Sequence, residues 1–351
     1  MILQPDCLPR RIIGIDVGGT KICAALVDLD GRIHWSSRHP TDTSNPEATL
    51  DSIAAAAQEL VAANHLDPAQ LDGIGFGIPG LVDAATGMGV ASVNLGWQDV
   101  AVRAGLEARL GIRCAIENDV RAGALGEAYF GGARGLRNLV YLNIGTGISA
   151  VILIDGRFFL GVRGLAGEIG HAVMDPDGAL CKCGGRGCFE ALASGPGIVE
   201  RALAKIRRGQ ESVLAPSDGM GHPPVTTERI FAAAAQRDRV AVETLEEAGR
   251  LIAYALEYLA LAYDPQAIVV GGGIVLNSPL LYKTIRLSLE DLAGKSWVFG
   301  RAYTADLVRL STLGNNAGVL GAAALVVYPQ GGQSSPLYGG NREGGHGHDT
   351  Q

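Results

Sequence analysis

RIIGIDVGGTKICAALVD, residues 11–28, is the stretch that decides the fold. Two apolar runs, RIIGID and KICAALVD, flank VGGT, so the segment reads as two strands folded back through a glycine-rich turn. LVYLNIGTGISAVILID, residues 139–155, repeats the device, and Asp-Gly-Arg follows both copies, at 30–32 and 155–157. Asp16 and Asn143 hold equivalent places before the glycines. One device used twice implies two lobes that present paired turns to one ligand.

Around the hairpins helices and strands alternate. Pro46 to Asn64 carries apolar residues at helical spacing, and Asp99 to Leu110 reads as a second amphipathic stretch with an aspartate at its start. Asp238 to Tyr263 predicts a long helix ending before Asp264-Pro265, followed by a strand over Ala267 to Val270. Past Tyr328 the chain is PQGGQSSPLYGGNREGGHGHDTQ, too poor in large apolar groups to fold, and its two histidines read as decoration of a tail.

The length of 351 residues favours two domains at roughly 100 to 200 residues each. With 47% hydrophobic and 19% charged residues the composition is that of a globular protein. A net charge of -7 argues against a nucleic-acid partner, which asks for a basic face to neutralise phosphates. The first eleven residues lack the apolar core of a secretory signal, and no segment has the roughly 20 apolar residues of a membrane span. The expected location is the cytoplasm. Three of six cysteines fall between 181 and 188, a clustering that suits metal binding in a reducing compartment. Cys7, Cys23 and Cys114 stand alone and read as small apolar residues.

Three constellations carry chemistry. In the first, Gly18 and Gly19 let backbone N–H groups approach an anion, Thr20 adds a hydroxyl, Lys21 a positive charge, and Asp16 is placed for a hydrated Mg2+. A tight turn without a ligand is the plainer alternative, weakened by the second copy at Gly145, Thr146 and Gly147. Neither copy is a Walker loop or a dinucleotide fingerprint. The second is Glu117-Asn118-Asp119, where the run Arg113 to Ile116 gives way to an Ala-rich helical pattern. Asp119 at that corner either caps the helix or accepts a proton from a substrate hydroxyl during phosphoryl transfer. The third is GEIGH, 167–171, with CKCGGRGCFE, 181–190: His171, Cys181, Cys183 and Cys188 complete a tetrahedral Zn2+ set. Four protein ligands close such a site, so the metal would be structural and would tie the loop bearing Glu168 and Glu190. Gly271 to Gly273 after a strand fits either a helix-starting turn or the approach of an adenosine to bare backbone.

Taken together, IGIDVGGTK, GIPGLVD, ENDVRAGALGE, LNIGTGI, GLAGEIGH, CKCGGRGCFEALASG and VVGGGI resemble the ROK family of sugar kinases and sugar-responsive repressors, in the expected order from about Ile12 to Leu325. The resemblance implies an α/β, two-lobed actin/hexokinase-like (ribonuclease H-like) fold with ATP and sugar in the central cleft. It implies that Asp119 is the general base and that Asn118, Glu168, His171 and Glu190 bind sugar hydroxyls beside Gly80. Asp16, Gly18, Gly19, Thr20, Lys21, Gly145, Thr146 and Gly147 would serve ATP and Mg2+, with Gly272 and Gly273 flanking the adenosine. His171 would serve both zinc and sugar. Ser149-Ala150 departs from the glycine that often follows the second turn in the family. The return of the last helix, Asn315 to Val327, to the first lobe gives an N-terminal lobe of 1–119 plus 314–328, a C-terminal lobe of 120–313, and a tail of 329–351. The expected reaction is phosphorylation of a hexose by ATP, glucose at its 6-hydroxyl, in a homodimer or homotetramer. N-acetylmannosamine or another N-acetylhexosamine is the alternative acceptor. A repressor would need a DNA-binding module, for which the stretch before Ile12 is too short.

Overall fold

The computed structural model describes residues 11–68, 71–215 and 224–327, so Cys7 and the tail 329–351 lie outside the described residues. The opening hairpin is β1 (Arg11–Val17) and β2 (Lys21–Asp28), joined to β3 (Ile33–Pro40) and helix α1 (Pro46–Ala63). The Asn45 side chain accepts from the Ala48 N–H to cap α1, Pro46 opens its first turn, and Leu50, Ile53, Ala57 and Leu60 are buried at helical spacing. Strand β4 (Ile74–Ile78) leads into a meander of β5 (Leu81–Asp83), β6 (Met88–Ser92) and β7 (Trp97–Val100). Then come α2 (Val102–Leu110), β8 (Cys114–Asn118) and α3 (Asp119–Tyr129). Asp99 does not start α2: it lies within β7 at φ 52°, and α2 begins after Ala101 without a side-chain cap. The pairing of Gln98 with Ala91 and Val100 with Gly89 claims the segment for the meander before the helix can start.

The second half opens with β9 (Leu139–Ile144), β10 (Ile148–Ile154) and β11 (Arg157–Phe158). After a long loop follow α4 (Phe189–Ala193), α5 (Gly195–Arg207), α6 (Thr227–Ala235) and α7 (Arg239–Tyr263), with Asp238 capping α7 through the Ala241 N–H. The rest is β12 (Ala267–Gly271), α8 (Gly273–Leu276), α9 (Pro279–Lys295), α10 (Trp297–Ala302), β13 (Val308–Leu310) and α11 (Ala317–Val327).

The two large sheets have one topology used twice. Their orders are β3-β2-β1-β4-β8 and β11-β10-β9-β12-β13, each an antiparallel meander of three strands extended by two parallel ones. That is the duplicated ribonuclease H-like order of the actin/hexokinase-like fold, and it places the tips of both hairpins at the same end of their sheets. Each sheet has its own core: Ile13, Ile15, Phe76 and Leu50 in the first, Leu142, Phe189, Ile252 and Leu256 in the second. Each such fully buried side chain contributes roughly 1.5–3 kcal/mol relative to exposure.

Helix α11 packs against β1, β4 and α3 and so returns to the first sheet. Its backbone lies so close that a Cβ on Gly14 would stand 2.0 Å from the Val319 carbonyl oxygen, and one on Gly75 1.7 Å from that of Ala322. Only glycine permits this approach. A further cluster, with Leu125, Tyr141, Val151 and Leu325, joins α3 and α11 to the face of the second sheet.

Candidate active site

Strand β8 delivers Asn118 and Asp119 to the end of the first sheet, next to β4 and opposite the first hairpin. The cap residue of α3 is Asn118: its Oδ1 accepts from the N–H groups of Val120 and Arg121 at 3.0 and 3.1 Å, and Asp119 Oδ1 shares the Val120 N–H at 2.9 Å. The Asn118 Nδ2 donates to the Gly80 carbonyl and to Asp119 Oδ1, both at 2.9 Å. Capping by the neighbour leaves the second Asp119 oxygen for another task. Below the corner, Glu117 is buried and paired with Arg121 at 3.2 Å, a strut that holds the turn.

Asp16 and Asp119 come together. A Cβ on Gly77, between β1 and β8, would lie 3.4 Å from Asp119 Cα and 3.6 Å from Asp16 Oδ1. Burial pushes the Asp119 carboxyl up to about 7, and the negative charge of Asp16 adds to the rise against the hydrogen bonds it accepts. Asp16 is pushed up to about 6 by burial, with Lys21 opposing. Two carboxyl groups that cannot both ionise cheaply make a site that asks for a cation and holds a base poised near neutrality. This donor set fits Mg2+, which takes oxygen ligands and keeps several waters.

The first hairpin closes through the Gly18 N–H on the Lys21 carbonyl at 2.8 Å, and Thr41 braces it by donating from Oγ1 to the Gly18 carbonyl at 2.7 Å. Thr20 and Lys21 are exposed at the tip. The second hairpin mirrors it: the Gly145 N–H donates to the Gly147 carbonyl at 2.9 Å, and Thr146 is exposed. Gly271 to Gly273 form a helix-starting turn into α8, Gly272 at φ 89° against the backbone of Ile144.

Glu190 sits on the second hairpin, its Oε2 accepting from the Ile148 N–H at 2.9 Å. The segment of Glu168 to His171 packs on the same strand, a Cβ on Gly170 falling 2.1 Å from the Ile148 carbonyl. Glu168 and His171 are exposed. The ligand atoms of His171, Cys181, Cys183 and Cys188 all lie within 4.8 Å of one another. Nδ1 of His171 is 3.8 Å from the Cys181 sulfur, and Cys183 and Cys188 sulfurs are 3.7 Å apart. A disulfide needs sulfurs about 2 Å apart, whereas bonds of about 2.3 Å at tetrahedral angles put sulfurs roughly 3.8 Å apart. The donors therefore fit zinc, with the imidazole's Nε2 on the far side of the ring. The Gly185 N–H and the neighbouring thiols draw the Cys183 thiol down to about 7, towards the thiolate a metal binds.

Gly80, expected beside the sugar, stands at φ 105° pinned against the Ala91 carbonyl and Ser92, so the meander lines the space beside Asn118. Other residues at the site escape a reading of the sequence. Asn94 backs Gly19, its carbonyl 2.9 Å from where a Cβ would stand, and Gly318 of α11 leaves room for the Asp16 carboxyl. Tyr141 is buried among Glu127, Asp16 and Asp119, its hydroxyl pushed up first by burial and then by these charges. Thr41, Asn94 and Gly318 lie far from the motifs in sequence, and nothing in their local pattern marks them.

The sequence profile of the ROK family matches residues 12–328. A glucokinase from Streptomyces coelicolor is 38% identical over 323 residues, 90% of this chain and 98% of that one. The crystal structure of a ROK family glucokinase from Streptomyces griseus with glucose and AMPPNP superposes with a TM-score of 0.74 at 34% identity, covering 90% of this chain and 98% of the other. The xylose repressor of Bacillus subtilis is 30% identical over 315 residues, 90% of this chain and 76% of the repressor.

Proposed function

The chain belongs to the ROK family, and from that premise we propose that it is an ATP-dependent hexose kinase that phosphorylates glucose at the 6-hydroxyl, with Asp119 as general base. The observation that carries this reading is the Asp119 carboxyl, held near neutral pKa beside Asp16 and the first hairpin, while its neighbour Asn118 takes over the cap. A base of that strength accepts the hydroxyl proton as the oxygen attacks, and its affinity for the proton rises with the negative charge of Asp16.

Each lobe supplies one hairpin to the phosphates: Gly18, Gly19, Thr20 and Lys21 from the first, Gly145, Thr146 and Gly147 from the second. We place the lobe boundaries at 119/120 and 313/314, so the cleft lies between the sheets. Gly272 and Gly273 offer bare backbone to the adenosine. Asp16 would hold Mg2+ through water; the ion, when bound, neutralises phosphate charge. Gly80, Asn118, Glu168, His171 and Glu190 surround the sugar. Because Glu190 also accepts from the second hairpin, sugar and phosphate positions are coupled through one carboxyl group. Zinc on His171, Cys181, Cys183 and Cys188 would fix the ring of His171 and the loop of Glu168 without touching the reaction. A reduced thiol set of this kind fits the cytoplasm, and the apolar groups exposed on α7, Tyr254, Tyr258 and Leu261, suit a dimer or tetramer.

The likeness to a xylose repressor favours a second reading, sugar sensing without turnover. A coupled ADP-release assay across glucose, mannose, fructose, N-acetylglucosamine and N-acetylmannosamine separates the two. Turnover of glucose above the rest supports the proposal, turnover of an N-acetylhexosamine moves the acceptor, and binding of sugar with no ADP released overturns the kinase.

A further inference from the structure

Glu127 lies outside the cleft and is wholly buried near the C-terminal end of α3. Between residues 11 and 327 the chain passes from the first sheet to the second through α3 and residues 130–138, and back through residues 311–316 into α11. The Glu127 carboxylate binds both crossings. Its Oε2 accepts from the Gly132 N–H at 3.1 Å, in the outward crossing. Its Oε1 accepts from Ser311 Oγ at 2.5 Å and from the Leu313 N–H at 3.1 Å, in the returning one, and Thr312 Oγ1 reaches Oε2 at 3.4 Å.

The two crossings also touch each other. A Cβ on Gly132 would meet the Thr312 methyl at 2.9 Å, and one on Gly131 would meet Glu127 Oε2 at 2.2 Å. Arg309 donates to the Gly132 carbonyl at 3.3 Å. Four donors on a buried carboxylate form a connected network, stronger for its low-dielectric setting and costly to leave half made. Lobe closure turns on a few backbone positions at such crossings. Asp119 stands at the other end of α3, eight residues and about 12 Å away along the axis at 1.5 Å per residue.

We infer that Glu127 is a positioning residue that binds the two interlobe crossings into one hinge, so that the lobes close about a fixed axis and Asp119 meets the acceptor hydroxyl in register with the phosphate hairpins. The inference rests on the kinase reading for its consequence in turnover. It rests on the structure alone for the hinge.

The test is Glu127→Gln, which keeps the shape but turns a donor towards the N–H and O–H groups that the carboxylate now accepts, with Ser311→Ala as a milder variant. For each, kcat, glucose affinity by calorimetry, ATP consumed per sugar phosphorylated, thermal midpoint, and sugar-induced compaction by small-angle scattering are measured. In Glu127→Gln, kcat per folded molecule is expected to fall about 100-fold, the loss that a misplacement of about 1 Å produces. Glucose affinity should stay within about threefold, ATP consumed per sugar should rise above one, and compaction should shrink. Ser311→Ala should move every readout the same way by less. Unchanged kcat per folded molecule with tight coupling of ATP to sugar in Glu127→Gln, or in Ser311→Ala if the first variant does not fold, overturns the assignment. If the unaltered protein phosphorylates no sugar, the kinase reading fails separately. The hinge is then judged by compaction alone, and a Glu127→Gln protein that closes fully on glucose refutes it.

Discussion

Asp119→Asn should stabilise the ligand-free protein while sharply cutting its turnover, and the size of that gain follows from the geometry. The Asp119 carboxyl is raised from 3.8 to about 7, so the folded protein binds a proton that the unfolded chain has already lost across that window. Stability therefore falls as pH rises from about 4 to about 7, and the full cost is present above it. At 1.36 kcal/mol per unit, a rise of about three units amounts to about 4 kcal/mol. Because Asp119 is only half-buried and shares its shift with Asp16, we take half, about 2 kcal/mol at pH 8. Near pH 5, where the folded carboxyl is protonated but the unfolded one is ionised, the difference narrows to about 1 kcal/mol. Urea unfolding of both proteins at pH 5, 6, 7 and 8, without Mg2+ or nucleotide, measures it as a shift in midpoint at constant slope. An Asp119→Asn protein no more stable than its parent at pH 8, or one whose advantage grows towards acid, would refute the argument that burial and Asp16 strain this carboxyl. The same variant should lose turnover by about 10²- to 10⁴-fold, the range of general-base catalysis.

Other consequences are open to simpler measurements. With glucose, kcat/KM should climb with pH along a limb near 7, and Asp16→Asn should move that limb to lower pH, because removing a neighbouring negative charge lets Asp119 ionise more readily; a limb that stays or moves to higher pH counts against the pairing. Replacing Cys183 by Ser should release zinc, detected by elemental analysis, and raise the glucose KM about 10- to 100-fold while leaving the ATP KM within about threefold. Gly321→Ala should cost about 3 kcal/mol or more in thermal or urea unfolding, since its Cβ would stand 1.6 Å from the Ala122 carbonyl where α11 crosses α3.

How much of this molecule is legible without coordinates depends on whether the deciding interactions are local. The hairpins of 11–28 and 139–154 fold as read, because alternating apolar runs and glycine turns act over a few residues. The long helix after Asp238 and the strand before Gly271 were equally readable. The four metal donors converge for the same reason: Cys181, Cys183 and Cys188 wrap through glycines, and only His171 comes from elsewhere. At Asp99 the local pattern misleads, since pairing across the meander outweighs helix initiation.

The sequence by itself determined the two hairpins, the long helix with the strand after it, the duplicated device and the chemical types at the site. Only the tertiary structure decided what those side chains are free to do. It gave the α3 cap to Asn118, brought Asp16 near Asp119 across the intervening strand β4, and set Glu190 against the second hairpin. It also gathered Gly132, Ser311 and Leu313 around Glu127, partners up to 186 residues away. Burial and charge at these points arise from segments far apart in the chain, and neither periodicity nor spacing carries information about a neighbour that the fold alone supplies.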